Sequence, residues 1–230
     1  MAEIKLVIFD CDGVLIDSEI IAMRVEIELL REHGYECEES EHIRRYTGLN
    51  FSQTIKLIEE ESGRYFPDDL DEKVQKEIDS RLWRNVVALP GAGNVLDQLD
   101  QPRCICSNSG DERLKLSLTK VELWDRFRPY VFSAQSLPDI AAKPAPDIFL
   151  HAAREFEVEP HECVVIEDSS HGVEGAAAAG MRVIGYVGAS HTYPEHSDQL
   201  LDAGAETIIK NLGEIPKIVA AFAEWDGLRG

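Results

Sequence analysis

The strands of this chain are unevenly placed, and that limits its fold more than any other feature. Ile4 to Phe9 (Ile-Lys-Leu-Val-Ile-Phe) is a short, nearly continuous apolar run, the pattern of a strand buried on both faces of a parallel sheet. No convincing strand follows before residue 100. Beyond it, strands are expected at Cys104–Cys106, Tyr130–Phe132, Cys163–Ile166, Val183–Val187 and Thr207–Ile209. Helical segments at about 111–121, 146–156, 171–179 and 213–224 separate or follow them, with Pro146 expected in the first turn of its helix. Strands alternating with helices imply βαβ units and a parallel sheet. The first strand is cut off from its partners by a helical block, so that block is an insertion. Residues 1–16 and 89–230 are predicted to form an α/β core, and 17–88 an inserted α-helical domain.

Within the insertion, a helix from about 17 to 33 stops at Gly34. The clearest pattern runs from Asp68 to Val87. Leu70, Val74, Ile78 and Leu82 recur every four residues and Val86 continues the row, one apolar stripe on a charged helix. Pro90-Gly91 then breaks the chain.

Charge excludes whole classes of partner. The 23 Lys and Arg are outnumbered by 43 Asp and Glu, a formal charge of −20. Such a chain repels phosphate backbones and has no basic stripe, so nucleic acid is not an expected partner. An anionic substrate would need a local divalent cation and a few placed Lys or Arg. The five cysteines are odd in number, form no CxxC pair, and at 104, 106 and 163 lie in apolar runs, which fits a reducing compartment. Met-Ala-Glu-Ile-Lys leads straight into a strand rather than a signal peptide, and no apolar run approaches the ~18 residues of a membrane span. A cytoplasmic protein with no membrane association is expected, monomeric or weakly dimeric.

In open α/β sheets ligands bind beyond the carboxyl ends of the strands. After the first strand come Asp10 and Asp12, after the second Ser107, Asn108 and Ser109, and after the fourth Glu167 and Asp168; Lys143-Pro144 precedes a helix near the third. Four carboxylates converging on one edge repel one another unless a cation sits among them. Oxygen-only ligands favour a hard ion, Mg²⁺ ahead of Ca²⁺. With Mg²⁺ bridging a carboxylate and a phosphoryl oxygen, Lys143 and the Ser107 hydroxyl are placed to meet developing charge. One aspartate is then free to attack phosphorus and the second, two residues on, suits general acid–base work. Gly13 allows the sharp turn this requires.

These segments together resemble the haloacid dehalogenase superfamily, in the phosphatase branch with a helical cap near β-phosphoglucomutase and phosphoglycolate phosphatase. The resemblance rests on Phe9-Asp10-Cys11-Asp12-Gly13-Val14-Leu15 with Asp17-Ser18-Glu19, Leu89-Pro90-Gly91-Ala92, Ser107-Asn108-Ser109, Lys143-Pro144-Ala145-Pro146-Asp147-Ile148-Phe149, and Ile166-Glu167-Asp168-Ser169 with Gly172 and Ala179-Gly180-Met181, in family order over nearly the whole chain. It implies a Rossmann-like parallel-sheet core with the insertion as a cap. It implies Asp10 as nucleophile and Asp12 as general acid/base. Mg²⁺ would be held by the Asp10 carboxylate, the Asp12 carbonyl and Asp168, with Glu167 closer or behind. Ser107, Asn108, Ser109 and Lys143 would hold the phosphoryl group, and Arg45, Gly48 and Asn50 of the cap would face the substrate. The implied activity is Mg²⁺-dependent hydrolysis of a small phosphate ester, such as a sugar phosphate, through an aspartyl-phosphate.

Each segment also has a plainer explanation. Asp-Cys-Asp-Gly suits an ordinary strand-end turn, Ser-Asn-Ser a helix N-cap, and Glu167-Asp168 a favourable helix start. For Arg44 and Arg45 a surface role competes with a ligand role. His191 and His196 are read as solvated loop residues, and His171 as a helix-start residue. Two absences inform the chemistry. Dehalogenases of the superfamily lack the second aspartate, so Asp12 argues for phosphoester substrates. Mutases like β-phosphoglucomutase carry a cap histidine ten residues after the acid/base aspartate, where this chain has Ala22. A hexose-phosphate mutase is therefore the second reading, and a non-catalytic binding protein on the same fold a distant third.

Overall fold

The computed structural model describes residues 3–225. Its core is a six-stranded, wholly parallel sheet in the order β3-β2-β1-β4-β5-β6. The strands are β1 (Leu6–Phe9), β2 (Arg103–Ser107), β3 (Val131–Ser133), β4 (Cys163–Glu167), β5 (Arg182–Tyr186) and β6 (Thr207–Ile209). The order reverses at the central β1, so a crevice opens beyond the carboxyl ends of β1 and its neighbours β2 and β4. This is the predicted Rossmann-like α/β core.

Period-2 alternation builds a core on each face of the sheet. Val7, Phe9, Ile105, Val164, Ile166, Ile184 and Tyr186 point to one side. There they pack on α5 (Ala92–Asp97), α6 (Asp111–Lys120), α7 (Trp124–Phe127) and α11 (Ile215–Trp225). Leu6, Ile8, Cys104, Cys106, Cys163, Val165 and Val183 point to the other, against α8 (Asp147–Glu155), α9 (Ser170–Ala178) and α10 (His196–Asp202). All five cysteines are free, and four of them are buried as small apolar side chains.

Between β1 and β2 lie α1 (Glu19–Glu32), α2 (Glu39–Tyr46), α3 (Phe51–Ser62) and α4 (Leu70–Asn85). Gly34 takes a left-handed φ of +79° just past α1, the stop its position suggested. The α4 stripe of Leu70, Val74, Ile78 and Leu82 is buried and packs on α1. The two chain segments joining this block to the sheet run side by side: Asp17 N–H donates to Val87 O (3.0 Å) and Leu89 N–H to Leu15 O (2.9 Å).

Three local expectations are corrected. Pro146 is the N-cap of α8 rather than a first-turn residue. The last helix begins at Ile215, after a 3₁₀ turn at Leu212–Glu214. His196, expected in a loop, instead opens α10 (His196–Asp202). No helix among the described residues is long and apolar enough to cross a membrane.

Candidate active site

Because every strand is parallel, all six carboxyl ends face one way and deliver their following residues to one edge. Asp10, Ser107, Lys143, Glu167 and Asp168 meet there and are buried. The turn after β1 needs glycine: Gly13 has φ +78°, and a Cβ on it would lie 1.8 Å from Asp168 Oδ2. Gly172 in α9 is equally constrained, since a Cβ there would lie 1.9 Å from Glu167 Oε1.

Lys143 is the hub. Its three ammonium protons go to Asp10 Oδ1 (2.6 Å), Glu167 Oε1 (2.5 Å) and Cys106 O (2.7 Å). Burial alone would depress its pKa, but the charges of Asp10 and Glu167 outweigh burial and raise it, so the ammonium is permanent. Glu167 is fixed at its other oxygen too, where Oε2 accepts from the amides of Asp168 and Ser169 and from the Ser169 hydroxyl, each at 3.0 Å. Asn108 clamps the Lys143 backbone: its Oδ1 accepts from Lys143 N (2.9 Å) and its Nδ2 donates to Lys143 O (3.3 Å).

Asp12 sits in a separate polar nest. Its Oδ1 accepts from Ser18 Oγ (2.7 Å), and its Oδ2 from Ser109 Oγ (2.8 Å) and, weakly, Ser107 Oγ (3.4 Å). The two aspartates thus have different surroundings: Asp10 against an ammonium, Asp12 against hydroxyls. Ser18 is the N-cap of α1, so the inserted block itself supplies one donor to Asp12.

The donor set suits a hard cation. Asp10, Glu167 and Asp168 each bring a carboxylate oxygen into one buried group, all within 4.8 Å of one another. Burial raises the Asp168 pKa and the Glu167 charge adds to it. Burial also raises Asp10, with further like charges from Glu167, Asp168 and Asp12 opposing Lys143. The cluster is therefore short of positive charge. Lys143 serves Asp10 and Glu167, whereas the basic group nearest Asp168 is the imidazole of His191, with Nε2 3.1 Å from Oδ2. Both His191 nitrogens lack a well-formed hydrogen bond among the described residues, and burial lowers the ring's pKa, which weakens its hold on a second proton. With both Glu167 oxygens engaged, Asp10 Oδ2 and Asp168 are the carboxylate positions open to a divalent ion. The Asp12 side chain lies outside this group.

A cavity of about 1080 Å³ rises from this edge towards the helical block. Gly48 and Asn50 line it, as do Ser107, Asn108 and Ser109. The Asn50 side chain is itself tied into a capping box with Gln53 at the start of α3. Arg45 does not reach the cavity; it pairs with Glu61 and Glu41 and lies against the Tyr46 ring. Arg24 pairs with Glu39 on the outer surface. Ala22 lines the cavity, as does Glu19 of the Asp17-Ser18-Glu19 segment, and Glu26, Gln75 and Arg113 join it without having been singled out by sequence.

His191 and His196 are corrected outright: both are buried. Ser190 donates to Asp17 through its amide (3.1 Å) and hydroxyl (2.5 Å), which draws the loop after β5 over the site. His196 Nε2 then donates to Asp168 O (2.6 Å) and its ring stacks on Tyr193. Tertiary packing, invisible in the local pattern, overrides the polar look of that loop. His171 is the second residue of α9, as expected for a helix-start residue.

The family described as haloacid dehalogenase-like hydrolase matches residues 4–180. The 6-phosphogluconate phosphatase of Escherichia coli K12 is 28% identical over 98% of this chain and 99% of its own. Hexitol phosphatase B of the same organism is 29% identical over 79% of this chain and 83% of its own. Among solved structures, a conserved haloacid dehalogenase-like protein of unknown function from Agrobacterium tumefaciens superposes with a TM-score of 0.92 at 49% identity, covering 95% of this chain and 99% of that one.

Proposed function

This chain belongs to the haloacid dehalogenase-like hydrolases and is a phosphoric monoester hydrolase; on that premise we propose that it is Mg²⁺-dependent and cleaves a small sugar phosphate or similar metabolite through an aspartyl-phosphate on Asp10. The observation that carries this reading is the contrast between two neighbouring carboxylates. Asp10 is held at Oδ1 by Lys143 with Oδ2 left open, while Asp12 is oriented separately by hydroxyls.

Asp10 Oδ2 attacks phosphorus as the ester P–O bond breaks, and Asp12 gives its proton to the departing alkoxide. A water then attacks the phosphorus of the acyl phosphate, its proton passes to Asp12, and inorganic phosphate leaves with Asp10 restored. Lys143 keeps Asp10 aimed and offsets part of the burial and like charge that raise its pKa. Ser107 and Ser109 fix Asp12 and sit where phosphoryl oxygens would enter; Asn108 acts through the Lys143 backbone. Bound Mg²⁺, held by Asp10, Asp168 and the Asp12 carbonyl, would neutralise the phosphoryl oxygens. The block 17–88 serves as the cap, and Gly48 and Asn50 face the substrate from it. Ala22 offers no hydrogen bond, which favours transfer to water over a mutase cycle. The compartment proposed is a reducing one, the cytoplasm.

The test uses p-nitrophenyl phosphate with and without Mg²⁺, in wild type and Asp10→Asn. EDTA should abolish turnover and Mg²⁺ restore it. The variant should fall below detection while keeping its circular dichroism and melting temperature. Turnover in Asp10→Asn would sink the covalent route. With β-glucose 1-phosphate and a trace of glucose 1,6-bisphosphate, phosphate release is expected; rapid isomer formation with little phosphate would instead establish the mutase.

A further inference from the structure

Helix α1 presents Glu19, Ala22 and Glu26 to the cavity, spaced i, i+3 and i+7 on one helical face. At ~1.5 Å per residue, Glu26 lies about 10 Å beyond Glu19 along α1. Ala22 between them leaves that path open. The Glu19 end is the one near Asp12 and Asp168, whose charges act on its carboxyl. Glu26 therefore lines the cavity about two helical turns farther along α1 than Glu19, a span that an extended five- or six-carbon phosphate can cover.

Glu26 is held there deliberately by its neighbours. It is only 9% exposed, an uncommon place for a carboxylate. His42 Nε2 lies 2.9 Å from its Oε2, and His42 is itself fully buried with Nδ1 3.7 Å from Cys37 Sγ. A thiol proton donated to Nδ1 leaves the Nε2 proton for Glu26, so the imidazole is committed and the carboxylate cannot swing away. Its other oxygen, Oε1, accepts no hydrogen bond among the described residues, yet is not sealed from the cavity.

The surroundings select against a second anion. Asp71 of α4 also lines the cavity and acts electrostatically on Glu26. The basic side chains of the lining are Lys143, Arg113 and His191. Lys143 has all three protons engaged at the far end. Arg113 donates to Asp79 Oδ1 (2.7 Å) and Gln75 Oε1 (2.9 Å). His191 lies beside Asp168. At the α1–α4 end Arg113 is already paired with Asp79 and Gln75, and Glu26 and Asp71 put two acids where a carboxylate or second phosphate would have to sit.

Resting on the phosphatase reading, we infer that Glu26, braced by His42, forms a subsite accepting hydrogen bonds from hydroxyls remote from the phosphate, and that the substrate class is an uncharged polyol or sugar monophosphate rather than a phosphorylated sugar acid or a bisphosphate. A carboxyl acceptor braced by His42 and flanked by Asp71 suits hydroxyl donors and disfavours an anion in the same place.

The experiment compares kcat/KM for glucitol 6-phosphate, 6-phosphogluconate and p-nitrophenyl phosphate in wild type and Glu26→Gln, with Mg²⁺. Wild type should prefer the polyol phosphate over the acid by at least about tenfold. In Glu26→Gln the ratio of polyol to nitrophenyl ester should fall about tenfold, mainly through KM, and the acid should gain on the polyol. A wild-type preference for 6-phosphogluconate overturns the subsite while leaving a phosphatase standing. Equal loss on all three esters in a variant of unchanged melting temperature also overturns it, by reducing Glu26 to a structural residue. If the variant does not fold, the wild-type comparison of polyol and acid decides alone. Failure of the wild type to hydrolyse even the nitrophenyl ester removes the phosphatase reading, and this one with it.

Discussion

Glu19 shows how one side chain can record the charge around it. Burial, with Asp12 and Asp168 adding like charge and His191 opposing, raises its carboxyl from 4.5 to about 8. An unfolded Glu19 ionises near 4.5, so between that pH and about 8 the native state carries a proton that the unfolded state lacks. Stability from this group is therefore full at low pH and is lost as pH rises through that window, at up to ~1.4 kcal/mol per unit. Urea unfolding of the metal-free protein at pH 5, 6, 7 and 8 should show the decline, and Glu19→Gln should flatten it; parallel slopes would refute the assignment. Gly13 gives a second residue-scale prediction. Alanine there must adopt a left-handed backbone and push Asp168 Oδ2 aside. Gly13→Ala should raise the Mg²⁺ needed for half-maximal activity by roughly 10–100-fold, as loss of ligand orientation does elsewhere. An unchanged Mg²⁺ requirement would mean that Asp168 is not a ligand.

At the scale of elements, α4 shows what periodicity can and cannot reveal. Its stripe was readable because only the buried face is apolar, so Leu82→Ala should cost about 2–4 kcal/mol and lower Tm by roughly 5–15 °C. Trp83 on the same helix is 56% exposed, and Trp83→Ala should stay within ~0.5 kcal/mol. Thermal melts of the pair test the packing directly; similar losses would place the stripe wrongly. The sheet was legible for a different reason, since strands buried on both faces read as short continuous apolar runs, and Asp10, Ser107, Glu167 and Asp168 were legible because each follows or ends one. Helix α10 was not, since Pro194 and a polar run mask the short segment that packs Leu200 into the core. Glu26 and His42 escaped notice because only the fold brings α1 and α2 together. For Arg45 a surface role and a ligand role compete in the sequence, and the fold pairs it with Glu61 and Glu41.

In the whole molecule, the helical block is fastened to the sheet domain on two sides of the cavity. One side is the pair of joining segments, where backbone bonds between Asp17 and Val87 and between Leu89 and Leu15 form a short two-stranded strap, braced by Ser190 on Asp17. The other is Arg113 of α6, which reaches across to Asp79 and Gln75 of α4. The strap is made of backbone bonds and can bend without breaking. The Arg113 contact is made of side chains near solvent and can open. Closure of the block over bound substrate would then pivot on the strap and be completed by Arg113. A solvent-accessible ion pair is worth at most ~1 kcal/mol, so Arg113→Ala should lower kcat/KM by no more than about fivefold. Its distinguishing mark is salt. Screening weakens such a pair, so added NaCl between roughly 0.05 and 0.5 M should push the wild type towards the variant while affecting the variant less. The measurement is kcat/KM for one substrate across that series in both proteins, referred to p-nitrophenyl phosphate to remove general salt effects on phosphate binding. Parallel salt responses would show that Arg113 merely decorates the cavity mouth, and that closure, if it occurs, is set by the strap and the apolar contact between block and core.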